Sequence, residues 1–335
     1  MRVPSPSNGS GRAHYLSVQH HYGGVSDKPI KETASAIKDM QIRGAGKIAC
    51  AGASALCDFS DRYEGESVEC FRDDLDAAVK EILGSRPTAV SLWNGVHACI
   101  RDIDSAKGLE EARASVSENA KRFVEMSARA VEAIGRIGSK RIRDGDTIMT
   151  HCNSSAALEP IKRAHDQGKE LKVYATESRP WRQGILTVNE LADAGIDVTL
   201  IIDSSVRTVM KKVDKVFVGA DTITSNGTLI NKIGTSQLAV CADEARVPFH
   251  VCSETYKFSP MTMFGDLVTI EERGCEEVAR REELRDRVKI FNPVFDSTPA
   301  KYIDAIITEV GVISPGSVYD IMVRQLGDGI FKEME

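Results

Sequence analysis

No apolar run in this sequence is long enough to span a bilayer. That predicts a protein with no membrane partner. Positive charge is not in excess either: 43 Lys and Arg stand against 49 Asp and Glu, a net charge of -6. Nucleic acid is therefore not expected as the main partner, because phosphate neutralisation needs a basic surface. None of the eight cysteines forms a CxxC pair, and no zinc-ligand spacing is present. No metal is expected, and no GxGxxG follows a candidate strand, which argues against a dinucleotide. Residues Met1 to Gly24 are rich in Ser, Gly and His and lack the apolar core of a signal peptide. They read as a flexible leader, with His20 and His21 an exposed pair rather than metal ligands. The expected compartment is the reducing cytosol, where the cysteines are buried small hydrophobes or free thiols.

What is present is two halves with different periods. At 335 residues the chain exceeds what one small core organises, so two domains are expected. Helical spacing covers Lys31 to Asp58, Phe71 to Leu83 and Thr88 to Ile103. Leu109, Ala112, Val116, Ala120, Phe123, Met126, Ala130, Ile134 and Ile137 then place one apolar stripe on a long helix. From Asp146 the pattern changes. Apolar runs at Thr147–Thr150, Leu171–Thr176, Val198–Ile202, Lys215–Val218 and Phe249–Cys252 alternate with helical stretches near 156–167, 188–194, 205–212 and 234–245. This alternation implies a doubly wound, mostly parallel sheet. Thr187 and Asp203-Ser204-Ser205 read as helix N-caps, and Gly168 and Gly195 as residues just past helix ends. A charge-dense insertion from Met261 to Phe291 is expected to hold a solvated helix. Asp296-Ser297-Thr298-Pro299 reads as the start of a final helix, and Val312–Ile313 as a last strand. The predicted fold class is α/β: a leader over 1–24, a helical N-terminal domain over 25–143, and a Rossmann-like domain over 144–335.

Open α/β sheets bind ligands at the carboxyl ends of their strands. The first strand ends Thr150-His151-Cys152-Asn153-Ser154-Ser155 and enters a helix, where free N–H groups favour an anion or a thiolate. Cys152 is thus either an activated thiol or a small buried cysteine above a plain serine cap; His151 belongs to the other face of the strand. Asp221, after an apolar strand, is either a desolvated acid with a raised pKa or a turn former. Asn226-Gly227 signals a turn. Asn231 and Lys232 precede a helix start at Gly234 that suits phosphate, and Lys257 is a second candidate cation against the commoner reading of an exposed lysine. In the helical half, Arg43-Gly44-Ala45-Gly46 breaks helix preference, and Arg86-Pro87 lies between two helices. Both arginines suit bidentate phosphate contact, or else simple packing and capping.

These segments resemble, in one order, a family uniting archaeal ribose-1,5-bisphosphate isomerases, methylthioribose-1-phosphate isomerases and regulatory subunits of the exchange factor of eukaryotic translation initiation. The carriers are Arg43-Gly44-Ala45-Gly46, Ser85-Arg86-Pro87, Thr150-His151-Cys152-Asn153-Ser154, Glu177-Ser178-Arg179-Pro180 with Gln183-Gly184, Val218-Gly219-Ala220-Asp221, Asn226-Gly227, Asn231-Lys232-Ile233-Gly234-Thr235 and Asp296-Ser297-Thr298-Pro299. The exchange-factor subunits usually lack the paired cysteine and aspartate. The methylthioribose enzymes typically carry Asn-Ala-Gly after the cysteine, whereas Asn153-Ser154-Ser155-Ala156 and Trp181-Arg182-Gln183-Gly184 look closer to the bisphosphate isomerases. The resemblance implies Cys152 as proton acceptor and Asp221 as proton donor. It implies Arg43, Gly44, Ala45, Gly46, Arg86, Ser154, Ser155, Ala156, Asn231, Lys232 and Lys257 as substrate-binding residues for a small sugar bisphosphate. It further implies no cofactor, AMP as an activator in some members, hexamers built from dimers, and a place between nucleoside degradation and Rubisco. The alternatives it leaves open are methylthioribose-1-phosphate isomerase and a non-catalytic regulatory subunit.

Overall fold

The computed structural model describes residues 28–326. The leader with His20 and His21 lies outside the described residues. The helical half comprises α1 (Lys28–Lys38), α2 (Ala45–Asp61), α3 (Val68–Ser85), α4 (Val90–Ile100) and α5 (Leu109–Gly138). The stretch expected as one helical pattern from Lys31 to Asp58 is divided at residues 39–44. There Met40 and Gly44 take positive φ angles of 58° and 90°, which a continuing helix does not allow. α5 follows the predicted stripe over 30 residues. Its Ala112, Val116, Ala120 and Phe123 join Ile37, Leu56, Phe59 and Phe71 in the core of this half. Further along, Ile134 enters the core of the sheet half. One amphipathic helix thus braces both halves.

The sheet half contains β1 (Thr147–Thr150), α6 (Ser155–Asp166), β2 (Lys172–Thr176), α7 (Gly184–Asp193), β3 (Asp197–Ile201), α8 (Val206–Met210) and β4 (Lys215–Val218). It continues with β5 (Thr222–Ile223), β6 (Leu229–Lys232), α9 (Thr235–Ala245), β7 (Phe249–Cys252), β8 (Phe295–Thr298), β9 (Ala305–Thr308), β10 (Gly311–Ile313) and α10 (Val318–Leu326). Seven strands form one sheet in the order β10-β9-β7-β4-β1-β2-β3. All its pairs are parallel except β9–β10. Alternation along β4 feeds both faces: Val216 and Val218 pack with Leu238 of α9, while Phe217 packs with Leu158 and Ile161 of α6. Gly168 and Gly195 take the left-handed conformation expected just past a helix. No helix among the described residues is long and apolar enough to cross a membrane.

Three local expectations are corrected. Asp296–Thr298 starts no helix: it lies in β8, which pairs antiparallel with β6 to form, with β5, a second sheet. The chain then runs through a short 3-10 turn into β9, and the final helix comes at Val318. The Met261–Phe291 segment holds 3-10 turns at Pro260–Phe264, Cys275–Glu277 and Arg281–Glu283, with no α-helix. Its dense charge pairs locally, as in Arg273 with Glu277 at 2.6 Å. Finally, neither Thr187 nor Asp203 caps a helix; of the expected 203–205 cap only Ser205 stands at the N-cap position of α8, with no side-chain hydrogen bond to the helix. Thr187 lies inside α7, and Asp203 opens a 3-10 turn before α8.

Candidate active site

The strand order changes direction between β4 and β1, so their carboxyl ends diverge and leave a crevice. Cys152 follows β1 and Asp221 follows β4. Both line one cavity of about 380 Å³ that the helical half closes from above. All thirteen residues singled out in the sequence border it: Arg43, Gly44, Ala45, Gly46, Arg86, Cys152, Ser154, Ser155, Ala156, Asp221, Asn231, Lys232 and Lys257. So do His151, Gln183 and Glu254, which the sequence did not offer as site residues.

The backbone at Cys152 is held in the left-handed region, φ 67°, an uncommon place for a side-chain-bearing residue. Hydrogen bonds on both sides fix it there. The Cys152 N–H donates to Ser178 Oγ at 2.8 Å, and Thr187 Oγ1 donates to the Cys152 carbonyl at 2.7 Å. Ser178 is itself anchored, because Asp203 accepts from the Ser178 and Arg179 N–H groups, each at 2.8 Å. These are the actual duties of the two residues expected as caps. His151 Nε2 lies 2.8 Å from the Ile233 carbonyl and must donate to it, so Nδ1 accepts from Thr176 Oγ1 at 2.5 Å. Burial holds this imidazole below its ordinary pKa, in keeping with a neutral ring that ties β1 to β2 and β6.

The electrostatics correct one expectation. The helix start was expected to favour a thiolate, but burial pushes the Cys152 thiol up to about 12, and the nearby Asp221 charge adds to the rise. The Asn153 N–H and Lys232 act in the opposite direction. Burial also raises Asp221, against the pull of Arg86, Lys257 and Lys232 and with the push of Glu271. Lys232 is lowered, chiefly by desolvation. The arrangement therefore holds a protonated thiol and an acid poised to keep its proton, with cations within electrostatic range of both.

Asn231 and Lys232 lie on β6 rather than at a helix start. Asn231 Nδ2 donates to Thr235 Oγ1 at 3.0 Å. The N-terminus of α9 is not free for phosphate, because Asp296 accepts from Gly234 N at 2.7 Å and from Ser236 N at 3.1 Å. Lys257 is not exposed. It sits 2.6 Å from Glu254, the two side chains 6% and 4% exposed. Glu254 also accepts from Tyr256 Oη at 3.1 Å, and Ser127 of α5 reaches the same phenol at 2.9 Å. Tyr256 packs edge-on to Phe123 within the helical core. Gly46 is required where α2 passes this cluster, since a Cβ there would lie 2.8 Å from Tyr256 Oη. Gly219 is required in the same way, because a Cβ would lie 2.2 Å from Ser154 Oγ.

The rim is built by aromatic and ionic stacking. Arg43 lies 4.4 Å from the centre of the Trp181 ring, and Arg273 lies 5.7 Å from it. Arg86 caps α3, approaches the Phe295 ring at 5.7 Å and meets Glu271 at 3.2 Å. The partners Glu254 and Glu271 left no local signal, because each is defined by a residue remote in the chain; Ser178 stood in a motif that gave it no role. Gln183-Gly184 left a motif but not a role.

Comparison with known proteins places this geometry. The chain is 52% identical to ribose 1,5-bisphosphate isomerase of Archaeoglobus fulgidus over 306 residues, 91% of this chain and 96% of that protein. It superposes with a TM-score of 0.75 on the Pyrococcus horikoshii translation initiation factor eIF-2B, at 32% identity over 87% of this chain and 98% of the other. The TM-score is again 0.75 for 5-methylthioribose 1-phosphate isomerase of Pyrococcus horikoshii, at 30% identity over 89% of this chain and 88% of that one. Residues 41–315 match the model of the initiation factor 2 subunit family, and with this crevice and these relatives the chain belongs to that family.

Proposed function

We propose that this protein is an aldose–ketose isomerase that converts ribose 1,5-bisphosphate to ribulose 1,5-bisphosphate. The observation that carries the reading is a half-buried thiol and a half-buried acid lining one cavity, ringed by Arg43, Arg86, Lys232 and Lys257. The strong likeness to a bisphosphate isomerase over nearly the whole chain supports it. The reaction is a rearrangement without net gain or loss of atoms. The ring C1–O4 bond opens and O4 takes a proton, hydrogen passes from C2 to C1, and the C2 hydroxyl gives up its proton to become a carbonyl. Cys152, once deprotonated, takes the C2 proton. Asp221, kept protonated by burial, donates to oxygen. The cations hold the two phosphates.

The thiol lies far above neutral pH and the acid is raised, so the working pair at pH 7 is a minor thiolate with a protonated acid. Between the two pKa values the thiolate gains tenfold per pH unit while the acid loses tenfold. The product is flat there, and below the acid's own pKa kcat/KM climbs with the thiolate. By the same reading AMP acts as an activator, the protomers assemble as a hexamer built from dimers, and the product feeds Rubisco. Metal plays no part in the reaction.

The purified protein assayed on ribose 1,5-bisphosphate, with and without AMP, and on methylthioribose 1-phosphate tests this. Turnover of the bisphosphate supports the reading. Turnover of the thioether sugar alone, for which Met40, Val124, Val131 and Leu186 supply apolar lining, selects the other isomerase. Tight binding with no turnover of either points to a regulatory subunit.

A further inference from the structure

The insertion between Met261 and Phe291 reaches a cavity-lining residue, Arg86, through one carboxylate. Glu271 Oε2 lies 3.2 Å from Arg86 Nε, and the two side chains are 22% and 12% exposed. Its other oxygen lies 3.4 Å from Arg273 Nη1. Just before it in the chain, Val268 and Thr269 border a cleft of about 20 Å³ with Arg86 and Asp221. Arg86 lines both this cleft and the main cavity beside Asp221, and Glu271 stands behind it, the two acting with opposite sign on that aspartate. The glutamate belongs to a segment of short 3-10 turns, tied by an isolated bridge from Glu272 to Pro293. Moving it breaks no helix and no long ladder.

A guanidinium drawn this far out of water needs a partner. A carboxylate supplies one charge and two oxygens. A phosphate supplies up to two charges and three oxygens, and matches the same planar fork. Glu271 engages Nε, one edge of that fork. Resting on the sugar-phosphate reading of the cavity, we infer that Glu271 is a displaceable counter-ion. It neutralises Arg86 until a phosphate of the substrate takes its place, and the exchange lifts the insertion away from the cavity wall. Glu271 is thereby a specificity-determining residue, because every anion must compete with a built-in one.

The test is calorimetric titration at pH 8 on a Cys152→Ser background, which binds without turnover. Ribose 1,5-bisphosphate and inorganic phosphate serve as separate probes. Glu271→Gln should tighten both by about tenfold, since the competitor is gone while its shape remains. In an Arg86→Gln background the same change should leave both affinities unmoved, which a merely structural role would not produce. Equal or weaker phosphate binding in Glu271→Gln overturns the inference and makes Glu271 an anchor for Arg86. If the sugar bisphosphate fails to bind any variant while phosphate still binds more tightly to Glu271→Gln, the counter-ion role stands and the substrate reading falls.

Discussion

Two ion pairs border the same cavity and differ in kind. Lys257–Glu254 forms its floor: 2.6 Å apart, both side chains nearly inaccessible, backed by Tyr256 and Ser127 in the helical core. Arg86–Glu271 forms its rim: longer, partly wetted, and contributed by a segment with little regular structure. The difference teaches where a site is rigid and where it can exchange partners. A buried charge that loses its mate is costly, so the floor pair moves as a unit with the fold. A pair that keeps some contact with water, and whose carboxylate has Arg273 as a second partner, loses less on separation, so the rim pair can trade its carboxylate for a ligand.

The comparison breaks first, and hardest, at the reacting groups above the floor. Cys152→Ser and Asp221→Asn are each expected to lower kcat by about 10²–10⁴-fold with unchanged thermal melting. Steady-state assays of folded variants check this, and near-normal turnover in either removes that residue from the chemistry. Next comes the floor pair. Glu254→Gln should cost about 3–5 kcal/mol of stability by leaving Lys257 buried without a counter-charge, read from denaturant unfolding. Glu254→Gln combined with Lys257→Met should recover much of that loss. A Glu254→Gln protein as stable as the parent would show that water already reaches the floor.

A finer probe is pH. The parent's kcat/KM should climb with pH while Asp221 holds its proton and level off once that proton is lost, as the reversed protonation of the pair requires. Asp221→Asn removes the acid whose protonated form is lost as pH rises, so its residual activity should climb about tenfold per pH unit with the thiolate alone. A flat residual profile would show that the thiol is not the base. Thr187→Val removes the donor to the Cys152 carbonyl and should lower kcat by about tenfold with KM little changed. Equal losses of kcat and thermal stability would reduce Thr187 to packing. The smallest effect is expected at the rim. Trp181→Ala removes the ring between Arg43 and Arg273, and should raise KM by about threefold to tenfold while sparing kcat. A selective fall in kcat would place the ring among the reacting groups.

The sequence made much of this legible, for a physical reason: period and strand-end position are local properties. The stripe from Leu109 to Ile137 foretold α5, and the apolar runs ending at Thr150 and Val218 foretold the strands that present Cys152 and Asp221. What escaped depends on pairing across the chain. Asp296 carries a true helix-cap signature, yet the helix it serves is α9, 60 residues earlier in the chain, through Ser236 N. Reading that signature as local produced a helix where β8 stands and hid β9 behind it. Lys257 reads as a site cation, but its burial against Glu254 escaped, because nothing near it in sequence shows that its segment is pulled into the other half. The thiol's high pKa escaped because burial outweighs the field of a helix start, and burial cannot be read from a motif.

Tyr256 follows β7 in the chain, but its ring is a member of the helical core, and Asn94 of α4 grips the carbonyls of Tyr256 and Phe258 at 2.7 and 2.9 Å. This one phenol makes the molecule indivisible in a practical sense. A fragment cut after α5 would be born with a ring-sized hole beside Phe123, and the complementary fragment would carry a tyrosine with no socket. Attempts to graft the crevice onto another scaffold, or to permute the chain between its halves, must therefore transplant plug and socket together.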